Sequence, residues 1–334
     1  MNLYVYVGRR LLFLVPTLLG VLAITFLISH IVPGDAAQLI AGPRATAEII
    51  QRIRQEYGLD KPLHVQFAVY VSQVVRGDFG QSIRTRRRVS ADIRDFFPAT
   101  FELTTTAMFL AVVLGIPLGI ISAVYRNRLL DHASRVFSVT GVSMPIFWLG
   151  LLMLLVFYIH LSILPGPGRI SGDPPDHVTG LYILDSVLTW NWSAFGDAAL
   201  HLVMPAFALA FAVLARVTRM TRSSMLETFD QDFVRTARAK GLSELWVVAK
   251  HALRNALIPT LTVVGLAYGE LLGGAVATEL IFAWPGMTHY VVGSMTSLDF
   301  PAVMGVTLVI AFIYILVNLV VDVTYAFIDP RIRY

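Results

Sequence analysis

LLFLVPTLLGVLAITFLIS, residues 11–29, runs for 19 residues without a charge. Wound as a helix it rises 1.5 Å per residue, enough to cross about 30 Å of hydrocarbon. Arg9 and Arg10 stand before it, as they would before a cleavable signal. The apolar run is longer than a signal core of about 7–15 residues, and no small-x-small site follows closely. It reads as a retained first helix. Comparable runs recur at residues 103–125, 136–159, 198–217, 257–281 and 303–323. Composition agrees: 56% of residues are hydrophobic and 14% charged, against about 25% charged in soluble domains. The expectation is an all-α integral membrane protein with six transmembrane helices in a lipid bilayer.

Orientation follows from Lys and Arg in the short loops, which favour the cytoplasmic side. Arg126, Arg128 and Arg135 follow the second run. Arg219, Arg222, Arg235, Arg238, Lys240, Lys250 and Arg254 follow the fourth, and Arg331 and Arg333 close the tail. Residues 160–197 carry only Arg169, and residues 283–301 carry no Lys or Arg. Both termini are therefore expected in the cytoplasm. Residues 31–100 are expected outside, although they hold Arg84, Arg86, Arg87 and Arg88, because the rule weakens for loops beyond about 60 residues. Within them PLHVQFAVYVSQVV, residues 62–75, is too short and too polar to cross and reads as a helix lying at the surface. The organisation is thus 1–30, N-terminus and first helix; 31–100, an external subdomain; and 101–334, five further helices with a cytoplasmic loop at 218–256.

Several chemistries are absent. The chain has no cysteine, which excludes thiol nucleophiles, disulfides and Cys-ligated metals. A phosphate-cradling P-loop needs Gly before its Lys. Lys61, Lys240 and Lys250 follow Asp60, Ala239 and Ala249. No His precedes Glu, so the H-E-x-x-H zinc helix is missing. No catalytic residue, metal ligand, bound cofactor or nucleic-acid motif is expected in this chain. Few ionisable residues fall inside the apolar runs, and an intramembrane carboxylate faces a bundle interior or water because lipid exposure is costly. Glu270 lies mid-run and either lines a pathway or meets a partner subunit. Glu279 and Asp322 lie near run ends, where snorkelling is expected. Gly265, Gly269 and Gly273 are four apart and share one helix face, suited either to packing within the chain or to another subunit. Pro16, Pro117, Pro145 and Pro205 are candidate kinks.

The stretch FVRTARAKGLSELWVVAKHALRNALIP, residues 233–259, carries the functional signal. Thr236, Ala237 and Ala239 are small and permit close approach of another protein. Gly241 permits a tight turn. Ser243 is placed to cap the next helix, with Glu244 in its first turn. The pattern is helix, glycine turn, helix, flanked by Arg235, Arg238 and Lys240. By itself it fits a docking element and a basic topology-setting loop equally well.

This stretch resembles the EAA loop of ABC-importer permeases, in the form seen in the dipeptide, oligopeptide and nickel branch. Further matches run along the chain in order: Pro33-Gly34-Asp35, YGLDKPL at 57–63, GDFGQS at 77–82, Ser143-Met144-Pro145 with Phe147-Trp148-Leu149-Gly150, RSSMLE at 222–227, LLGGAVATE at 271–279, Trp284-Pro285-Gly286 and DPRIRY at 329–334. Arg235 and Thr236 stand where the general loop pattern has Glu and Ala, and His251 and Arg254 replace Ile and Pro. The resemblance implies a type I ABC-importer permease architecture forming half of a translocation pathway. It implies a homologous permease, two ATP-binding subunits that hold ATP and Mg, and an extracytoplasmic solute-binding protein as partners. It also implies the bacterial inner membrane, and residues Arg235 to Ser243, Leu242 included, as the contact with the ATPase. A proton-coupled secondary transporter is the competing reading and would need deep carboxylates and inverted repeats. An intramembrane enzyme would need paired nucleophile and base.

Overall fold

The computed structural model describes residues 3–31, 37–38, 45–56 and 58–328. The matches at 33–35, Tyr57 and 329–334 lie outside the described residues. Among the described residues the regular elements are helices, joined by turns and loops, with one isolated antiparallel bridge between Gln81 and Arg88. The helices are α1 (Leu3–Ile31), α2 (Ala47–Glu56), α3 (Leu63–Val75), α4 (Val89–Val124), α5 (Leu129–Ser143), α6 (Ile146–His160), α7 (Tyr182–Leu188) and α8 (Trp192–Phe229). They continue with α9 (Asp232–Ala239), α10 (Glu244–Gly274), α11 (Val276–Ile281), α12 (Met287–Thr296) and α13 (Phe300–Ile328).

Five of these helices are long and apolar enough to cross a membrane, and α5 with α6 makes a sixth if the bent pair counts as one span. The span expected at 136–159 is broken at Pro145, one of the four candidate kinks, and α5 and α6 meet there at 104°. Pro145 is the cause: it caps α6 in an extended conformation and, lacking an N–H, cannot continue α5. The run at 257–281 is also not one helix. It ends at Gly274, and Ala275 joins it to the short α11. Pro16, Pro117 and Pro205, by contrast, lie inside continuous helices. Residues 63–75 form a helix, as expected, with no residue buried.

The chain divides into two compact units. The first comprises Pro98–Gly286 with both chain ends, and the second Arg9–Phe97 with Met287–Ile313. The second is larger than the external segment read at 31–100, since it also takes in α1, α12 and the start of α13. Its core is Val89, Ile93, Met287, Tyr290, Ala302 and Val306. Asp299 staples it: the Ser82 hydroxyl and the Arg84 amide donate to its carboxylate. The Arg84 guanidinium lies 5.3 Å from the Tyr290 ring centroid, and Arg87 pairs with Asp95 at 2.7 Å. This part of the basic run therefore serves the unit's own cohesion.

In the first unit α8 is central, with 72% of its apolar window buried. Ala206, Ala208, Ala210 and Ala215 are fully covered. Small residues on its neighbours allow this. A Cβ on Gly119 of α4 would stand 2.6 Å from the Thr221 Cβ and 2.7 Å from the Thr218 carbonyl oxygen. One on Gly141 of α5 would stand 2.7 Å from the Ala215 Cβ. Close backbone approach replaces the hydrophobic effect as the adhesive between helices in lipid.

Gly119→Ala should force α4 away from α8 and destabilise the chain by about 1–3 kcal/mol. Gly196→Ala on α8, where nothing lies within 4 Å of the added methyl, should be neutral. Thermal unfolding in detergent by scanning fluorimetry compares the two.

Candidate functional site

The loop after α8 has the expected helix–turn–helix form. At Gly241 the backbone adopts φ +76°, a conformation that costs an L side chain roughly 1–2 kcal/mol. The Gly241 amide donates to the Arg238 carbonyl at 2.9 Å, closing the turn after α9. Ser243 occupies the N-cap position of α10, but its side chain makes no capping bond; its carbonyl accepts from the amides of Trp246 and Val247 instead. Arg238 braces the turn by donating from Nη2 and Nε to Glu244 at 2.7 and 3.1 Å. That bond raises the Arg238 pKa above its ordinary value, with the Glu244 charge assisting against burial.

One expected contact residue needs correcting. Ala237 points inward, packing with Val234, Val247 and Phe229 in a small cluster that holds α9 onto α10. Its smallness serves that joint. The surface offered outward consists of Arg235, Thr236, Ala239, Lys240, Gly241, Leu242 and Ser243. Sequence reasoning missed Leu245 and Trp246, which are 80% and 52% exposed. Their signal was the apolar pair directly after Glu244, in a loop otherwise read for its charges.

Glu270 is paired within the chain. Arg216 Nη1 of α8 donates to Glu270 Oε2 of α10 at 2.7 Å. Arg216 lies inside the fourth apolar run and escaped the sequence reading, although a lone Arg there was itself a signal. Gly265 and Gly269 are buried and face α13: a Cβ on either would collide with Val321 or with the Tyr314 ring. These two glycines therefore pack within the chain. Gly273 is exposed.

Glu279 also needs correcting: it does not snorkel but is fully buried. The Thr100 hydroxyl donates to its Oε1 at 2.6 Å, and the carboxylate lies where a Cβ on Gly286 would stand. Trp284 beside it donates its indole N–H to the Ala99 carbonyl at 2.8 Å. The Trp-Pro-Gly motif thus seals a buried carboxylate against α4. Two further buried carboxylates tie the unit. Asp131 accepts from Arg222 Nε and Nη2 at 2.6 and 2.9 Å and from the Ser122 hydroxyl at 2.7 Å. Glu102 accepts from Arg169 Nη2 at 2.6 Å and from the Ile183 amide at 2.7 Å. Arg169 also lies 3.7 Å from the Tyr182 ring centroid and donates to the Gly180 carbonyl. In the same loop Asp185 is buried, which would raise its pKa. Hydrogen bonds from the Thr179 hydroxyl and the amides of residues 178–180 outweigh burial and lower it.

Comparison with known proteins gives a consistent answer. Residues 115–334 match the family model described as binding-protein-dependent transport system inner membrane component. Residues 3–104 match the model for the N-terminal part of such membrane components. The chain is 56% identical over 321 residues to a probable D,D-dipeptide transport system permease protein of Escherichia coli K12, covering 96% of this chain and 94% of that one. It is 43% identical over 330 residues to a dipeptide transport system permease of Alkalihalophilus pseudofirmus, covering 98% and 99%. It is 44% identical over 329 residues to a glutathione transport system permease of Salmonella typhi, again covering 98% and 99%.

Arg169→Met should cost about 3–5 kcal/mol of stability, because it strands a buried carboxylate. Adding Glu102→Gln should recover part of the loss in the same detergent melt. The lowered Asp185 pKa means that its stabilisation is complete above the ordinary carboxylate value of 3.8 and is lost as pH falls through the folded value below it. Hydrogen exchange at the amides of residues 178–180, corrected for its intrinsic pH dependence, should rise only under strong acid. In Asp185→Asn the pH-dependent component should disappear.

Proposed function

The chain belongs to the binding-protein-dependent transport system inner membrane components, and we propose that its cargo is a dipeptide or a peptide-like solute. As a member it is a multi-pass inner-membrane permease of an ATP-driven importer, and the ATPase resides on separate subunits. The cargo reading rests on the relatives, whose names refer to D,D-dipeptide, dipeptide and glutathione transport. In our reading a related permease completes the pathway, two ATP-binding subunits dock on the loop side with their ATP and Mg, and a solute-binding protein delivers cargo to the opposite face. Both termini then lie in the cytoplasm, in keeping with the Lys and Arg of the short loops.

The observation that carries the coupling role is the exposed surface of the α9–α10 turn. Leu242, Leu245 and Trp246 stand out beside Arg235 and Lys240, on a backbone fixed by Gly241 and the Arg238–Glu244 pair. Apolar residues held outward by a braced turn fit insertion into a groove on another protein. Closure of the ATP-binding subunits moves this turn. The buried cluster of Val234, Ala237 and Val247 passes the motion to α10, which carries Glu270. Access to the pathway then alternates between faces as two states of one assembly.

Leu245→Asp should leave the permease folded and in the membrane, because that side chain is almost wholly exposed. It should weaken capture of the ATP-binding subunits by about 2 kcal/mol, roughly 30-fold. Co-purification of the co-expressed subunits in detergent measures this. Undiminished recovery would place the docking surface elsewhere.

A further inference from the structure

The exposed faces of α8 and α10 differ from the other exposed helix surfaces of their unit. On α5 the outward residues Val136, Val139 and Val142 form an apolar stripe of the kind lipid favours, beside exposed Thr140 and Ser143. On α10 they are Asn255, Pro259, Thr262, Leu266, Glu270 and Gly273, one stripe at three- and four-residue spacing. On the loop-side half of α8 the half-buried Arg216 continues into exposed Arg219, Ser223 and Glu227, again on one face. Within the fifth run the α10 stripe carries Thr262 and Glu270 where hydrocarbon would demand Leu, Ile or Val, and the α8 stripe carries its charges and hydroxyl on into the segment read as cytoplasmic.

The two stripes are joined at both ends. At the loop end a notch of about 290 Å³ lies between them, lined by Ser224, Glu227, Thr228, Asn255 and Pro259, with Phe233 of α9 beside it. At the inner end stands the Arg216–Glu270 pair. Glu270 lies 13 residues beyond the start of the fifth apolar run at residue 257, about 20 Å of helix, so the carboxylate end of the pair lies deep within that span. Two other carboxylates that tie the helices of this unit are covered: Glu102 and its partner Arg169 are each 7% exposed, and Asp131 is fully buried. Glu270 keeps 58% of its side chain open and Arg216 33%. An open charge pair at that depth requires water or a polar ligand.

We infer that these two faces wall a water-filled stretch of the solute route, and that Arg216 and Glu270 receive a zwitterionic solute there, its carboxylate on Arg216 and its ammonium on Glu270. The pair is bonded singly, Nη1 to Oε2. Each group therefore retains a second nitrogen or oxygen for a ligand. Exchanging one internal bond for two bonds to a solute leaves every charge paired, so the solute needs no desolvation that the wall does not offset. A linear peptide with free termini has this chemistry. The inference rests on the importer reading above and adds the wall and the ligand groups.

The absence of cysteine from the chain makes the test direct. Thr262→Cys and Leu266→Cys place single thiols on the stripe of α10, and Val139→Cys places one on the apolar face of α5. The assembled transporter, reconstituted in proteoliposomes, is treated with a charged methanethiosulfonate reagent from the loop side, without nucleotide and with ATP. The stripe thiols should react at least an order of magnitude faster than Val139→Cys in one of the two states. D-Ala-D-Ala at millimolar concentration should slow the labelling of Leu266→Cys, and its N-acetyl amide should not. Glu270→Gln should abolish that protection. Stripe thiols that stay unreactive in both states overturn the wall. Reactive thiols protected equally by the blocked and free peptides overturn the zwitterion site. ATPase activity stimulated by loaded binding protein, measured in the same vesicles, keeps the two readings apart. Its absence in the cysteine-free parent refutes the importer reading, whereas its presence with unreactive thiols refutes the wall alone.

Discussion

A charge buried inside the protein must find a partner, and much of this chain's architecture follows from that demand. Glu102 takes Arg169 and the Ile183 amide, which fixes the segment after α6 to the start of α4's deep half. Asp131 takes Arg222 and Ser122, which ties α5 to α8 and α4 at the other end of the helices. Glu279 takes Thr100 and is roofed by Trp284 and Gly286. Each bond joins segments distant in sequence. Removing one member would leave the other buried and ionised, a cost of about 3–5 kcal/mol. The same logic makes the open Arg216–Glu270 pair conspicuous, since it is satisfied in charge but not enclosed.

Packing supplies the second constraint. Because lipid is as apolar as leucine, helices associate through close fit, and the fit here is made by glycine and alanine around α8. Gly115 and Gly119 bring α4 against it, Gly141 brings α5, and Gly265 and Gly269 let α13 settle on α10. Where the backbone must turn instead, a residue type marks the place. Pro145 breaks the third span, and Gly241 turns the chain between α9 and α10 with a positive φ that other residues adopt reluctantly. The turn between α9 and α10 is thus set by backbone geometry and by the Arg238–Glu244 brace, which suits the displacement-transmitting role proposed for it.

Much of this was legible in the sequence, for a physical reason. Hydropathy over about 20 residues is set by the bilayer's thickness, which every span meets alone. The runs at 11–30, 103–125, 198–217 and 303–323 therefore fall within α1, α4, α8 and α13. The helix–glycine–helix loop was legible because its signals, Gly241 and Glu244 after Ser243, act on the local backbone. The lack of a P-loop was legible because that site is one contiguous motif. Family membership followed from many short motifs in fixed order.

What only the tertiary structure decided concerns partners and faces. Periodicity placed Gly265, Gly269 and Gly273 on one side of a helix but could not say that Tyr314 and Val321 fill the space beside the first two. Ala237 looked like a contact residue because it is small, and the fold spends that smallness on the joint with Val247. Glu279 looked interfacial by its distance along the chain, yet the turn at Ala275 carries it into the interior against Thr100. Glu270 was a lone carboxylate until α8 brought Arg216 beside it across 54 residues. The sequence by itself determined which segments are apolar enough to cross a membrane, and the turns at Pro145 and Gly241, because those choices are made residue by residue against lipid and water. Which charges pair and which small residues touch rests on contacts between helices far apart in the chain, and those exist only once the helices have packed.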